Sequence, residues 1–119
     1  MLETPKKQYD LEERTFIFAR DVALWCISLS KDLVNIQYIK QVVRSSGSVG
    51  ANYIEANESL SKKDFLMRIK ICRKEAKESQ YWLQLFDIAI ELEPERKGLI
   101  QEALELRKIF GAIVEKSQI

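Results

Sequence analysis

The chain has 119 residues, 46% of them hydrophobic, which is enough to bury one core without metal or disulfide support. Two prolines and four glycines are too few for a loop-rich β fold, so the composition predicts the all-α class. The 19 basic and 18 acidic residues leave a net charge of +1, which provides no overall attraction to nucleic acid or to an anionic membrane. The absence of histidine excludes Ser-His-Asp, Cys-His and histidine-zinc chemistry.

Cysteine usage and hydropathy favour a cytoplasmic protein. The two cysteines, Cys26 and Cys72, are far apart and form no CxxC pattern. The first residues carry no secretory signal pattern, and no apolar run approaches the roughly 20 residues that span a bilayer. We therefore expect no membrane partner.

The first half of the chain predicts two amphipathic helices. Asp10 and Glu13 form a capping box that starts a helix over 10–33, and Asn35 is the expected cap of a helix over 35–58. Residues 1–9 are expected to be a flexible leader. The core-facing residues of the two helices recur every three to four positions: Leu11, Phe18, Val22, Trp25, Leu29 and Leu33, then Ile39, Val42, Ser46, Val49, Tyr53 and Ala56.

The second half predicts two more helices. Ser61 and Asp64 form another capping box, which opens a helix over 61–92, and Pro94 suits the first turn of a helix over 94–116. Because short connections force neighbouring helices to run antiparallel, residues 10–119 predict a single up-down-up-down four-helix bundle domain. The two core stripes are Phe65, Ile69, Cys72, Ala76, Ser79, Leu83, Phe86 and Ile90, then Leu99, Ala103, Leu106, Phe110 and Ile113.

Two of these helices carry more apolar surface than one bundle core can cover. On a helical wheel, the first helix has a second apolar strip roughly opposite its core stripe, and the third has apolar residues beside its stripe. Exposed strips of this kind usually form a partner surface, so we expect a homo-oligomer; the alternative is cover by the bundle's own loops and tail. The expected interface residues are Phe16, Leu24, Ile27, Val34, Met67, Ile71, Trp82 and Leu85.

The segment RSSGSVGANYIEANES, residues 44–59, places Gly47 and Gly50 inside a helix, where each costs about 1 kcal/mol relative to Ala. We interpret both glycines as sites of close helix packing, because a nucleotide-binding turn needs a preceding strand and none is predicted. Asn52 and Glu55 lie beside this contact, and buried polar groups need hydrogen-bond partners. The segment therefore predicts a structural polar network rather than a ligand site.

Glu55, Glu58, Glu75 and Glu78 form two ExxE pairs, which loosely resemble the magnesium-binding carboxylates of all-α nucleoside triphosphate pyrophosphatases. A hairpin turn near residues 59–60 puts Glu75 about 16 Å beyond the level of Glu55 at 1.5 Å per residue, too far for one metal pair within a subunit. Arg44 falls level with Glu75 and Glu78, which favours ion pairs. The predicted structural polar network consists of Arg44, Asn52, Glu55, Glu75 and Glu78.

A basic row lies opposite the core stripe of the third helix. Residues 62–78 contain seven Lys or Arg and three acidic residues, and Tyr81 continues the row. Such a row is usually a solvated face, whereas the alternative is a surface that contacts phosphate backbones regardless of sequence. The possible nucleic-acid contacts are Lys63, Lys70, Lys74, Lys77 and Tyr81.

The stretches RSSGSVGANYIEANESLSKKDF and RKEAKESQYWLQLF resemble the bacterial four-helix bundle proteins that are read from intervening sequences of 23S ribosomal RNA. The resemblance extends to accessory proteins of diversity-generating retroelements, and it implies a pentameric ring or barrel. Those retroelement relatives are strongly basic and bind nucleic acid and a reverse transcriptase, whereas this chain is near neutral. The family pattern is matched by Arg44, Ser48, Asn52, Glu55, Phe65 and Glu78, while Ala56 and Glu75 depart from it.

Three functional hypotheses follow from the sequence. The first is a non-enzymatic homo-oligomeric bundle, pentameric by resemblance, that acts as a scaffold or accessory factor without a cofactor or small-molecule substrate. The second is weak, sequence-independent binding of RNA or DNA through the lysine row. The third and remote one is a magnesium-dependent nucleotide hydrolase that uses the Glu pairs.

Overall fold

The computed structural model describes residues 10–118, and this range folds as four helices that pack together. Helix α1 spans Leu11–Ile27, α2 spans Leu33–Asn57, α3 spans Lys62–Leu85 and α4 spans Glu93–Ser117, with a one-turn 3₁₀ helix at Ile90–Leu92. The predicted all-α four-helix bundle is confirmed. The expected leader, residues 1–9, lies outside the described residues.

The capping residues largely behave as the sequence predicts. The side chain of Asp10 accepts a hydrogen bond from the backbone N–H of Glu13, and the side chain of Ser61 accepts one from the backbone N–H of Asp64. Pro94 lies in the first turn of α4, where a missing N–H costs nothing. These side chains satisfy N–H groups that the helix itself leaves unpaired.

Helix α1 ends six residues before the predicted boundary at residue 33. The ammonium of Lys31 donates to the backbone carbonyls of Cys26 and Leu29, at 3.0 and 2.6 Å, and so satisfies the end of the helix. Asp32, not Asn35, caps α2. Asn35 is instead buried, and its amide donates to the backbone carbonyl of Ser30. Leu33, predicted to lie in the core stripe, is instead 80% exposed.

Helix α3 also ends earlier than predicted, at Leu85 instead of residue 92. The guanidinium of Arg96 in α4 donates to the backbone carbonyls of Leu83 and Phe86, at 3.3 and 2.6 Å, and so replaces the next helical turn. Phe86 is buried against Trp25, with the two rings edge to face at 5.3 Å. Ile90, assigned to the core stripe, is therefore exposed in the connection to α4.

One core runs through the bundle, and its largest fully buried side chains come from α1, α3 and α4. The α2 side of the core is built from small residues, and the hydroxyl of Ser45 lies 2.9 Å from that of Ser79. A Cβ added at Gly50 would lie 2.9 Å from Oγ1 of Thr15, so this glycine permits close approach of α1 and α2. The packing interpretation was wrong for Gly47, which is exposed with nothing within 4 Å of the same test atom.

The four seams of the bundle are unequal. Helix α2 packs extensively on α3, and α3 on α4, whereas α1 and α4 touch over a short stretch. Gly98 contributes no side chain to this seam, and acidic residues line both of its walls. Arg14 of α1 holds the seam together by donating two hydrogen bonds of 2.8 Å to Glu102 of α4. The seam remains open as a surface groove beside this ion pair.

Within residues 10–118, every helix is too short or too polar to cross a membrane.

Candidate interaction surfaces

A groove of about 720 Å³ lies between α1 and α4, and we call it the acidic groove. Of the residues that the structure describes, those that line it include three carboxylates and no basic residue. Glu102 is partly neutralised by Arg14, which also pairs with Glu105 at 3.0 Å. The residues that line the groove are Ile17, Phe18, Asp21, Leu24, Trp25, Ser28, Leu92, Glu95, Gly98, Leu99 and Glu102.

The acidic groove continues onto the apolar strip of α1. Leu24 belongs to both surfaces and is 58% exposed, while Ile27 is 71% exposed. Phe16, also predicted for this strip, is likewise more than half exposed. Val34 is exposed too, but its placement on the first helix was wrong, because α1 ends at Ile27 and Val34 lies in α2. Trp25 lines the groove, and its indole N–H has no hydrogen-bond acceptor within residues 10–118. The bundle core thus leaves the strip uncovered.

A second groove, of about 580 Å³, lies on the outer face of α3, and we call it the basic groove. Three of the predicted nucleic-acid contacts, Lys63, Lys70 and Lys74, form its rim, and all three are exposed. Lys77 and Tyr81 continue the row beyond the groove and are also exposed. The residues that line the groove are Ser61, Lys63, Asp64, Leu66, Met67, Lys70, Ile71 and Lys74.

The predicted interface residues of α3 divide into two groups. Met67 and Leu85 are exposed, while Ile71 is half-buried and lines the basic groove. Trp82 is engaged within the bundle: its indole N–H donates to Glu78 at 2.8 Å, and its ring lies 6.1 Å from that of Tyr38. Trp82 therefore offers less free surface than its position on the helical wheel predicts.

The predicted polar network is divided into two clusters in the structure. In the first, the guanidinium of Arg44 pairs with Glu78 and lies 3.4 Å from Glu75, which is largely buried. In the second, Arg68 donates to the side-chain carbonyl of Asn52 at 3.1 Å, and the amide of Asn52 donates to Ser48. These contacts link α2 to α3.

Glu55 lies outside both clusters. It is exposed one turn beyond Asn52, where α2 approaches its end and its side chain faces solvent. Of the two ExxE pairs, Glu75 and Glu78 are directed at Arg44 instead of toward Glu55 and Glu58. Within residues 10–118, no group of three or more His, Cys, Asp or Glu side chains converges as metal ligands would.

Both cysteines lie in the core. Burial raises the pKa of the Cys26 thiol to about 11 and that of Cys72 to about 12. The thiol of Cys72 donates to the backbone carbonyl of Val49 at 3.4 Å. Since the thiolate is the nucleophilic form, these two thiols are unreactive at neutral pH.

Sequence reasoning missed the three basic residues that hold the helix ends and the open seam. Arg14, Lys31 and Arg96 each bind carboxylates or backbone carbonyls. The partners of Arg14 are 88 and 91 residues away in the chain, so local periodicity carries no signal for them. The local signs of this helix end were the two serines near Lys31 and Asp32, a residue type that often caps a following helix.

The geometry defines an all-α four-helix bundle whose distinctive features are two surface grooves. Residues 7–112 match the family model described as 23S rRNA-intervening sequence protein, and the chain belongs to this family. The predicted resemblance to the 23S ribosomal RNA intervening-sequence family is thereby confirmed. Among curated proteins, none matches the chain.

A solved structure supports the same assignment. The chain is similar to a protein with unknown function from the S23 ribosomal protein family of Bacteroides thetaiotaomicron. The two share 28% sequence identity with a TM-score of 0.74, and the match covers 88% of this chain and 98% of that chain.

Proposed function

We propose that the chain is a non-enzymatic, homo-oligomeric four-helix bundle that acts as a scaffold or accessory factor. The observation that carries this proposal is the apolar strip of α1, where Leu24 and Ile27 are more than half exposed beside the acidic groove. Isolated exposed hydrophobic residues are ordinary, but a continuous apolar strip next to a concave surface is typical of an interface. The pentamer is the assembly that the family resemblance suggests.

The strip has enough apolar surface to contribute to association. Full burial of one Leu or Ile side chain stabilises by about 1.5–3 kcal/mol. Leu24, Ile27 and Phe16 are 58%, 71% and 63% exposed, so each retains more than half of its surface for a partner to cover. The other proposed interface residues are Val34, Met67, Ile71, Trp82 and Leu85.

Native mass spectrometry and light scattering test the proposal. Wild type is expected as a multiple of the 13.9 kDa subunit, whereas Leu24→Asp or Ile27→Asp is expected at the single-subunit mass. Helical circular dichroism should stay unchanged, because both side chains lie outside the core. Ile54→Asp is the matched control, since Ile54 is 50% exposed on α2, away from both grooves.

Two outcomes would contradict this assignment. A wild-type protein that stays at 13.9 kDa at every accessible concentration would contradict the proposed homo-oligomer. A Leu24→Asp variant that loses its helical signal places that residue in the core of the subunit instead of at its surface.

A second candidate function is sequence-independent binding of RNA or DNA through the α3 row. The observation that favours it is the exposure of all five row residues, four lysines and Tyr81, on one helix. Repetition of the row by symmetry would give a multivalent surface.

Fluorescence anisotropy in low salt, with single-stranded RNA, structured RNA and duplex DNA, tests this second candidate. Binding should weaken steeply with salt, because counterion release sets the slope. The variant Lys70→Glu/Lys74→Glu/Lys77→Glu should lose binding and keep the wild-type mass. The control variant Lys40→Glu/Lys97→Glu/Lys108→Glu reverses three other exposed lysines and should bind better than the row variant. Equal binding by the two variants would contradict a specific role for the row.

A further inference from the structure

We infer that the two grooves are the two halves of one interface: the basic groove of one copy docks against the acidic groove of the next copy. This inference rests on the proposed oligomer and identifies the surfaces that form it. The partner is therefore a second copy of this chain, bound through a different surface from the one it presents.

Charge complementarity is the first argument. The basic groove has Lys63, Lys70 and Lys74 on its rim and one acid, Asp64. Among residues 10–118, the acidic groove is lined by three acids and no base, and Glu95 and Asp21 are its more exposed charges. Complementary potentials of this kind orient docking and fix the register of two surfaces. Docking of like grooves would instead place lysine against lysine, or carboxylate against carboxylate.

Apolar complementarity is the second argument. Both grooves have an apolar floor inside a charged rim, as protein interfaces usually do. Met67 and Ile71 contribute to the floor of the basic groove, and Leu24 stands exposed at the edge of the acidic groove. A methionine side chain is flexible enough to fill an irregular cleft such as the open α1–α4 seam.

The position of the two grooves determines the kind of assembly. The acidic groove lies on the α1–α4 seam, whereas the basic groove lies on the outer face of α3, the helix diagonally opposite α1, which packs on α2 and α4. One copy therefore cannot close its own two surfaces on each other. A contact between different surfaces of identical subunits is heterologous, and it generates a ring when the rotation between neighbouring subunits closes. Each subunit of the ring then has both grooves covered.

Single-face variants test the pairing. The α3 variant Lys70→Glu/Lys74→Glu and the seam variant Leu24→Asp should each run at the single-subunit mass, with apparent dissociation constants raised about 100-fold or more by the buried charge conflict. An equimolar mixture should form a species of twice the 13.9 kDa subunit mass and nothing larger. Each variant retains one intact groove, and the two altered surfaces are both acidic and repel one another.

A charge exchange within one chain provides a second, independent measurement. Adding Asp21→Lys/Glu95→Lys to the α3 variant restores complementary charge with reversed polarity, and it should restore the wild-type mass. Lys40→Glu/Lys108→Glu is the matched control and should assemble like wild type, because both lysines are exposed outside the grooves.

The outcomes separate this inference from the proposed function. An α3 variant that keeps the wild-type mass overturns the groove pairing and leaves the oligomer standing. A mixture that stays at the single-subunit mass, or that returns to the full oligomer, also overturns the pairing. A wild type that is itself a single subunit removes the oligomer altogether. The groove pairing and the nucleic-acid candidate predict different masses for the α3 lysine variants. The pairing predicts the single-subunit mass, whereas the nucleic-acid candidate predicts the wild-type mass.

Discussion

Gly50 and Gly47 are three residues apart on α2 but have opposite surroundings, so the same substitution should change stability in opposite directions. Replacing a helical glycine by alanine stabilises by about 1 kcal/mol where nothing else changes. Gly47→Ala should raise the free energy of unfolding by this amount, because no described residue lies within 4 Å of the added Cβ. At Gly50 the added Cβ would lie 2.9 Å from Oγ1 and 3.2 Å from Cβ of Thr15. Overpacking of this kind costs about 1–3 kcal/mol, so the net change should be destabilising by about 0–2 kcal/mol.

Thr15 cannot easily move to relieve that contact. Its hydroxyl donates to the backbone carbonyls of Leu11 and Glu12, at 2.7 and 3.1 Å, and the side chain is fully buried. Thr15→Ala removes the closer of the two contacts with the new methyl group. The double variant Gly50→Ala/Thr15→Ala should therefore be more stable than the sum of its single effects, by about 1 kcal/mol.

Urea and thermal unfolding at one fixed protein concentration measure these differences, since association would otherwise shift the midpoints. Gly47→Ala should raise the melting temperature by about 4 °C for a domain of this size, and Gly50→Ala should lower it or leave it near wild type. If Gly50→Ala is stabilised as much as Gly47→Ala, the close approach of α1 and α2 at Thr15 is wrong.

Further predictions concern the open seam and the buried thiols. Arg14→Met should destabilise the fold by about 1–3 kcal/mol through loss of the charge-assisted bonds to Glu102. Arg20→Met removes an exposed ion pair with Asp21 and a contact over the Phe16 ring, and it should cost less than about 1 kcal/mol in the same urea titration. Because burial raises the pKa of the Cys72 thiol from 9.0 to about 12, the unfolded chain loses this proton first. The free energy of unfolding should therefore fall as pH rises above about 9, and Cys72→Ala should reduce that slope between pH 8 and 10. Ellman's reagent at pH 7.5 should label neither cysteine until the chain is unfolded, since the Cys26 thiol is likewise buried with its pKa raised to about 11.

Periodicity predicted where the helices lie, but it could not predict where two of them end. The stripe of α3 continues in register to Ile90, so local hydrophobic spacing favours one long helix. The helix ends at Leu85 because Arg96, on another helix, donates hydrogen bonds to the backbone carbonyls of Leu83 and Phe86. A helix boundary that depends on a side chain far away in the sequence cannot be predicted from local hydrophobic spacing.

The sequence predicted the exposed apolar strip of α1 but not the acidic groove, because the groove depends on two helices that are distant in the sequence. A helical wheel shows which side chains face away from one core, and it correctly left Leu24 and Ile27 uncovered. It cannot show that α1 and α4 stand apart, because this depends on the residues of both helices at one level. The acidic groove, with Asp21 on one wall and Glu95 on the other, therefore emerged only from the packed structure.

The open seam itself favours an occupant from outside the subunit. Carboxylates on both walls repel one another, and Gly98 leaves empty the space that a larger side chain would fill. A glycine inside a helix also costs about 1 kcal/mol, and among residues 10–118 no close neighbour at Gly98 accounts for this cost. The indole N–H of Trp25, which has no acceptor in the part of the chain that the structure describes, is a second unfavourable feature of the same groove. A helix face that carries both lysines and apolar side chains would reduce the repulsion through its lysines and fill the space with its apolar side chains. The outer face of α3 in a second copy is such a surface.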